Sequence, residues 1–240
     1  MEINIFILCY NESSLLPHTV KHYKKYLPSC KITIYDNEST DNSVELAKSL
    51  GCDVISWNSN NIIDENKYLE IKNNCWKHIT HGWIIMADMD EFLYVTEDEL
   101  LDEIKNETSI LQIKGMNMIG ESNTLDLTDI DLQEIKKYIY HEPENKKLCF
   151  FREKIEEINY GIGSHLCNPV GNIKYSSKIY YNKHMHCLGL NYIIDKTLKR
   201  HQRSALMRSY GWAHHYINDT TIIKDNYYSL LNNSSIFSEI

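Results

Sequence analysis

Residues Trp83 to Tyr94 read WIIMADMDEFLY, an apolar run that ends on three carboxylates, Asp88, Asp90 and Glu91. A run of this length bounded by polar stretches predicts a buried strand. Two acids at alternate positions cannot both enter a core unpaired, because desolvating a carboxylate is very costly. At the carboxyl end of a strand in an open α/β sheet they would sit where such sheets bind ligands. There they would share a divalent cation with an anionic ligand. Their hard oxygens suit Mg²⁺ or Mn²⁺. The competing reading is a solvated turn opening an acidic helix, since Glu97, Asp98 and Glu99 follow closely.

The elements that would position these acids are legible upstream. Ile3–Cys9 is apolar and β-prone, and Leu15–Leu27 has helical apolar spacing with Pro17 near its start, where proline is tolerated. Lys31–Tyr35 reads as a second strand ending at Asp36. Asn42-Ser43-Val44-Glu45 resembles a capping box opening a helix that Gly51 closes. Asp53–Trp57 is a third strand, Tyr68–Ile79 a helix and Trp83–Ala87 the fourth strand. Strand and helix alternating in this way predict right-handed parallel crossovers and a Rossmann-like half. Beyond Asp98 the pattern changes. Ser109–Met118, Lys147–Phe151 and Lys174–Tyr181 read as strands, Leu132–Tyr140 as helical or irregular, and Ile193–Tyr210 as a basic helix. The expected architecture is a mostly parallel central sheet flanked by helices. Residues 1–217 would form one domain: a nucleotide-binding half (1–95), an acceptor-side, metal-completing half (96–217), and then a polar, aromatic tail (218–240).

At 240 residues with a net charge of −8 and no long basic tract, the chain does not read as a nucleic-acid binder. Its seven cysteines are odd in number, scattered and never in CxxC, which fits reduced thiols better than a disulfide framework. The N-terminal apolar run is too short for a secretory signal, and no window reaches the ~20 apolar residues of a membrane span. The expectation is a soluble, cytoplasmic protein. Its tail, through Tyr227, Tyr228, Leu230, Leu231, Ile236 and Phe237, would pack on the domain, form a homodimer or touch a membrane.

Two further loops bear on chemistry. Tyr10-Asn11-Glu12-Ser13 follows the first strand, where backbone and polar side chains can meet a nucleobase, although Asn-Glu-Ser is also ordinary capping chemistry. Asp36 ends the second strand, where a carboxylate can accept a hydrogen from a base or ribose. Turn-and-cap duty suits Asp41 and Asn42 better. YNES after the first strand, YDNESTDNS after the second and ADMDEF after the fourth, at these spacings, together resemble a glycosyltransferase of the GT-A fold, family-2-like. KNNCWK, INYGIGSH and KHMHCLG extend the resemblance over most of residues 1–216.

The resemblance implies a nucleotide-diphospho-sugar donor, most simply a UDP-sugar, a hydroxyl acceptor in glycan, polysaccharide or glycoconjugate synthesis, and transfer with inversion. Asp36 would bind the base, Tyr10, Asn11 and Glu12 would line the nucleotide pocket, and Lys72 would approach the diphosphate. Asp88 would contact the ribose, directly or through the metal, and Asp90 would be the main metal ligand. A histidine from the second half often completes such a metal site; His184 is the candidate, with His186 and His214 behind it. A zinc cluster at His184, His186 and Cys187 lacks a second Cys/His pair at suitable spacing. The glycine-rich Asn159–His165 would let a loop approach the sugar, with His165 orienting it or deprotonating the acceptor. The family's base is usually acidic and no motif here marks one, so Glu91, Glu157 and Asp195 stand beside His165 as candidates. In the basic segment Lys199, Arg200, Arg203 and Arg208, Arg203 would help neutralise the nucleotide's phosphates; a solvated helix face is the alternative. Gly211–Tyr216 would offer an aromatic wall for a sugar, unless Trp212 is core.

Two other classes compete. A haloacid-dehalogenase-type phosphohydrolase also uses DxD after a strand, but Glu91 and Phe92 stand where that pattern wants a small residue and then Thr or Val. A non-catalytic nucleotide-sugar-binding protein would not need the intact acidic pair.

Overall fold

The computed structural model describes residues 1–237; the last three residues of the sequence-defined tail lie outside them. The N-terminal half alternates as expected: β1 (Ile3–Cys9), α1 (Leu16–Tyr26), β2 (Lys31–Asp36), α2 (Ser43–Ser49), β3 (Asp53–Ser56), α3 (Glu65–Asn74) and β4 (Trp83–Asp88). The four strands are parallel in the order β4-β1-β2-β3. β1 and β4 are apolar because helices cover both faces of the sheet, which leaves no solvated side for an alternating pattern. Register brings the ends of the three inner strands together: Cys9 stands opposite Asp36, and Leu8 opposite Asp88.

Two local expectations are corrected. Asn42 makes no side-chain cap on α2. Asp41 instead accepts from the Ser13 and Ser43 backbone amides, and Ser43 Oγ accepts from Glu12 N, so this turn is spent on tying down the loop after β1. Helix α3 begins three residues early and stops at Asn74, because Asp64 caps it by accepting from the amides of Asn66 and Lys67.

The second half departs further from the sequence pattern. After Asp90 the chain forms a strand, β5 (Glu91–Tyr94), and only then α4 (Glu97–Lys105), opened by a capping box between Thr96 and Glu99. The acidic run is therefore a helix N-terminus separate from the strand-end acids. Next come β6 (Ile110–Ser122), β7 (Lys137–Tyr140), β8 (Cys149–Phe151), β9 (Ile155–Glu157), β10 (Val170–Gly171) and β11 (Tyr175–Gly189). β6, β7, β8 and β11 extend the same sheet, which reaches ten strands with β5 and β12 (Ser235–Ile236), whereas β9 and β10 form a separate ribbon. Segment 132–140 is thus a short 3₁₀ turn followed by a strand. β11 runs well past Tyr181, lying parallel to β6 and antiparallel to β5. It ends at Gly189, whose φ of +152° and approach to Ser122 O leave no room for a side chain.

Helix α5 (Leu190–Arg203) breaks at Ser204 before α6 (Ala205–Ser209). Residues 218–237 are not a loose tail. Helix α7 (Thr220–Asn232) packs through Ile223 and Tyr227 against the α5 side, with Tyr227 Oη donating to Gly120 O at 2.9 Å, and β12 pairs with β7. Phe237 lies against Tyr138 and Tyr181, while Tyr228, Leu230 and Ile236 stay exposed. Among the described residues no helix is long and apolar enough to cross a membrane.

Candidate active site

The chemistry gathers beyond the carboxyl ends of β1, β2 and β4. The sequence pattern leaves Asp88 and Asp90 free for a cation; the fold meets each with a lysine. Asp88 Oδ1 lies 2.6 Å from Lys72 Nζ on α3, and Oδ2 lies 3.1 Å from Lys146 Nζ. Asp90 Oδ2 lies 2.7 Å from Lys196 Nζ on α5. Asp90 is buried and Asp88 is partly buried, and the fold supplies each with a counter-charge. Burial opposes ionisation of both acids, but Lys72 and Lys146 outweigh it at Asp88, as do Lys196 and His184 at Asp90. Both stay ionised well below the usual carboxylate range.

Strand β11 delivers the histidines. Its register sets His184 between Glu91 of β5 and Asn117 of β6, and the two-residue period places His186 on the same face. His184 Nδ1 donates to Asn117 Oδ1 at 2.7 Å, which fixes the ring with Nε2 3.3 Å from Asp90 Oδ2. Burial disfavours the His184 cation, yet Asp90 outweighs it and raises the pKa. Burial, with the charges of Lys196 and His184, keeps His186 neutral. His186 Nδ1 is buried without a hydrogen-bond partner. Asp90, His184 and His186 offer ligand atoms all within 4.8 Å of one another. One carboxylate, two imidazoles, an orphaned ring nitrogen and a ring held from behind by an amide fit a divalent transition cation. Asp88, expected as a second ligand, lies outside this group with both oxygens turned to lysines.

Glu91 is fully buried. Its Oε2 accepts from Asp88 N at 2.7 Å and its Oε1 meets Lys146 at 2.8 Å, so it braces the strand-end turn instead of facing an acceptor. Lys146 also lies 3.5 Å from Glu144, which faces His184 Nδ1 at 3.6 Å. The Glu144 backbone fits against Gly115, where a Cβ would stand 2.2 Å from the Glu144 carbonyl oxygen.

On the nucleotide side, Asp36 Oδ2 accepts from Ser39 N at 3.0 Å while Oδ1 is buried with no partner. Tyr10 Oη donates to Asn61 Oδ1 at 2.6 Å, and the Arg203 guanidinium lies 3.3 Å above the Tyr10 ring. Asn11, in the left-handed region at φ +52°, shapes its loop by accepting from Thr40 N. The Glu12 carboxyl is raised by burial, against the pull of Lys196 and Arg200. Of the basic segment, Arg200 turns inward and its Nη1 donates to Tyr216 Oη at 3.3 Å. Lys199 pairs with Asp195 at the surface, and Arg208 donates to His201 O.

His165 is exposed, with Nδ1 2.8 Å from Pro143 O. Glu157 sits in the β9–β10 ribbon, paired with Lys77 at 2.6 Å. Trp212 is 39% exposed beside Tyr210, so it is not core, and His214 is exposed too. An open groove of about 520 Å³ between Tyr35, Trp57 and α3 is lined by none of these acids or histidines.

Sequence reasoning missed Lys146, Glu144, Asn117 and Lys196. Lys146 stands in a polar run that marks nothing. Lys196 carried a signal: it lies on the buried face of α5 with Tyr192 and Ile193, where a solvated lysine does not belong.

A mostly parallel sheet with acids and histidines converging past its strand ends defines an α/β protein of the ligand-at-the-carboxyl-edge type. Residues 4–114, somewhat under half of the chain, match the family model of glycosyl transferase family 2, so this segment resembles a family-2-like glycosyltransferase. It is 31% identical over 104 residues to the uncharacterized glycosyltransferase RP128 of Rickettsia prowazekii, a match covering 43% of this chain and 32% of that one. It is 33% identical over 54 residues to protein RfbJ of Shigella flexneri, covering 22% of this chain and 42% of RfbJ. The chain thus spans less than half the length of these relatives. The structure of S. aureus TarS 1–349 in complex with UDP aligns with a TM-score of 0.49 at 14% identity, covering 90% of this chain and 73% of that one.

Proposed function

We propose that this chain transfers a sugar from a UDP-sugar to a hydroxyl of a glycan, polysaccharide or glycoconjugate acceptor, with inversion and with Mn²⁺ or Mg²⁺ as cofactor. The observation that carries the reading is the meeting of Asp90, His184 and His186 at the same sheet edge as the unpartnered buried oxygen of Asp36. When bound there, a divalent cation would offset the negative charge that builds on a departing diphosphate. Asp36 Oδ1 suits the N–H of a uracil ring, since an orphaned buried carboxylate oxygen gains most from a donor. Tyr10 and Arg203 would border that base. Lys72 and Arg200 would bring positive charge to the phosphates.

His165 is the candidate we favour as the base. Its Nδ1 is committed to Pro143 O, which leaves Nε2 as the unprotonated nitrogen able to take an acceptor proton. Glu91 is buried against Lys146, and Glu157, though partly exposed, is paired with Lys77. All seven cysteines are unpaired, which supports a reducing, cytoplasmic setting.

The test is a screen of nucleotide sugars with Mn²⁺, reading released nucleoside diphosphate. Turnover of at least one UDP-sugar is expected, with a loss of about 100-fold or more in Asp90→Asn. Phosphate release from monoesters without sugar transfer would establish the phosphohydrolase instead. Nucleotide-sugar binding without turnover would establish a non-catalytic binder.

A further inference from the structure

Lys196 has no part in the sugar-transfer reading, yet it takes the most contested position in the site. Its Nζ lies 2.7 Å from Asp90 Oδ2, the same oxygen that His184 Nε2 faces at 3.3 Å. The residue is 8% exposed, and its ammonium lies 5.4 Å from the centre of the Tyr192 ring. A divalent cation ligated by Asp90, His184 and His186 would compete with that ammonium for the Asp90 carboxylate. Two cations cannot share it at contact distance in a buried site, because their repulsion is poorly screened there.

We propose that Lys196 is a resident counter-ion that a divalent cation must displace from Asp90, and that the freed ammonium then joins Arg200 in holding the anionic part of the donor. The inference rests on the cation site proposed above. Lysine suits such an exchange, because a compact point charge on a flexible four-carbon stem can leave one anion for another while its helix stays still. Arg200 stands one turn along α5, so the released charge has a neighbour with the same need. Charge balance favours the exchange only when a ligand arrives. Before any ion binds, Asp90 pairs with Lys196 at 2.7 Å, while Arg200 meets the neutral Tyr216 hydroxyl. A divalent cation alone leaves an excess of positive charge, which a doubly anionic diphosphate linkage removes. Metal and nucleotide must therefore bind cooperatively, each tightening the other by the same factor.

The experiment measures Mn²⁺ affinity by the electron paramagnetic resonance of free Mn²⁺, with and without UDP, in wild type, Lys196→Met and Asp90→Asn. Wild type should bind Mn²⁺ weakly alone and about tenfold or more tighter with UDP. Lys196→Met should bind Mn²⁺ alone about tenfold tighter than wild type, and the tightening by UDP should shrink by a similar factor. Should Lys196→Met fail to fold, Lys196→Gln keeps an N–H donor for Asp90 without the charge and gives the same comparison. Mn²⁺ binding that needs Asp90 but is no tighter without the lysine overturns the counter-ion role and spares the cation site. Mn²⁺ binding indifferent to Asp90→Asn overturns the cation site, and this proposal with it.

Discussion

Replacing Lys146 with Met probes how the acid cluster is held. Lys146 is 4% exposed and its ammonium serves three carboxylates: Glu91 at 2.8 Å, Asp88 at 3.1 Å and Glu144 at 3.5 Å. Asp88 keeps Lys72 after the substitution, but Glu91 loses the ammonium that pairs with its Oε1. Removing one partner of a buried pair costs roughly 3–5 kcal/mol, because a charge is left uncompensated. For a chain of this length each kcal/mol lowers the melting temperature by about 2–4 °C, so a fall of about 6–20 °C is expected near neutrality. The pH dependence identifies the cause. Burial already raises the Glu91 carboxyl and Lys146 opposes that rise, so without the lysine its folded-state pKa climbs further above the unfolded value. A carboxyl raised in this way costs stability above its unfolded pKa and recovers it by taking up a proton as the pH falls. Thermal melts from about pH 7.5 to about pH 5 should therefore show the deficit of Lys146→Met narrowing. Adding Glu91→Gln should restore part of the loss, since an amide still accepts from Asp88 N and needs no counter-charge. A variant that melts within about 2 °C of wild type, or a deficit that does not change with pH, refutes the role of Lys146 as the hub.

Two further expectations concern stability away from the site. Burial pushes His22 down to about 4 from 6.5; its ring stacks on Phe92 at 4.8 Å and its Nε2 donates to Leu93 O. A histidine held neutral by the fold contributes stability above its unfolded pKa and loses it as the pH falls toward the folded one. About 3 kcal/mol should disappear between about pH 6.5 and pH 4 in urea titrations, and His22→Phe should flatten that part of the profile; equal acid sensitivity in both proteins would contradict it. Thr96→Ala removes the capping box of α4 and should cost about 1 kcal/mol, read as a melting-temperature drop of about 2–4 °C; an unchanged melting temperature would contradict it.

The first ninety residues were legible because local rules and the global fold agree there. β1 and β4 are apolar runs of strand length, helices lie between the strands, and Asp36 and Asp88 fall at strand ends where a parallel sheet must present them. The second half resisted for an identifiable reason. β11 is 15 residues long and carries polar residues through its middle, because its neighbours β5 and β6 supply partners such as Glu91 and Asn117. A strand whose polar groups are satisfied by distant strands shows no hydrophobic period. The same holds for β5, which reads as the approach to an acidic helix until its pairing with β11 is seen.

The sequence by itself determined the alternation of strand and helix, the delivery of acids to the sheet edge and the histidine pair two residues apart. Those follow from period, length and residue type, which are local properties. Only the tertiary structure decided which charges meet. Lys72, Lys146 and Lys196 come from a helix, a loop and a second helix up to 106 positions from the acids they pair with, and no spacing rule links them. Their selection is a matter of desolvation: once the fold buries Asp90 and Glu91 and partly buries Asp88, it must bring cations from wherever the chain passes.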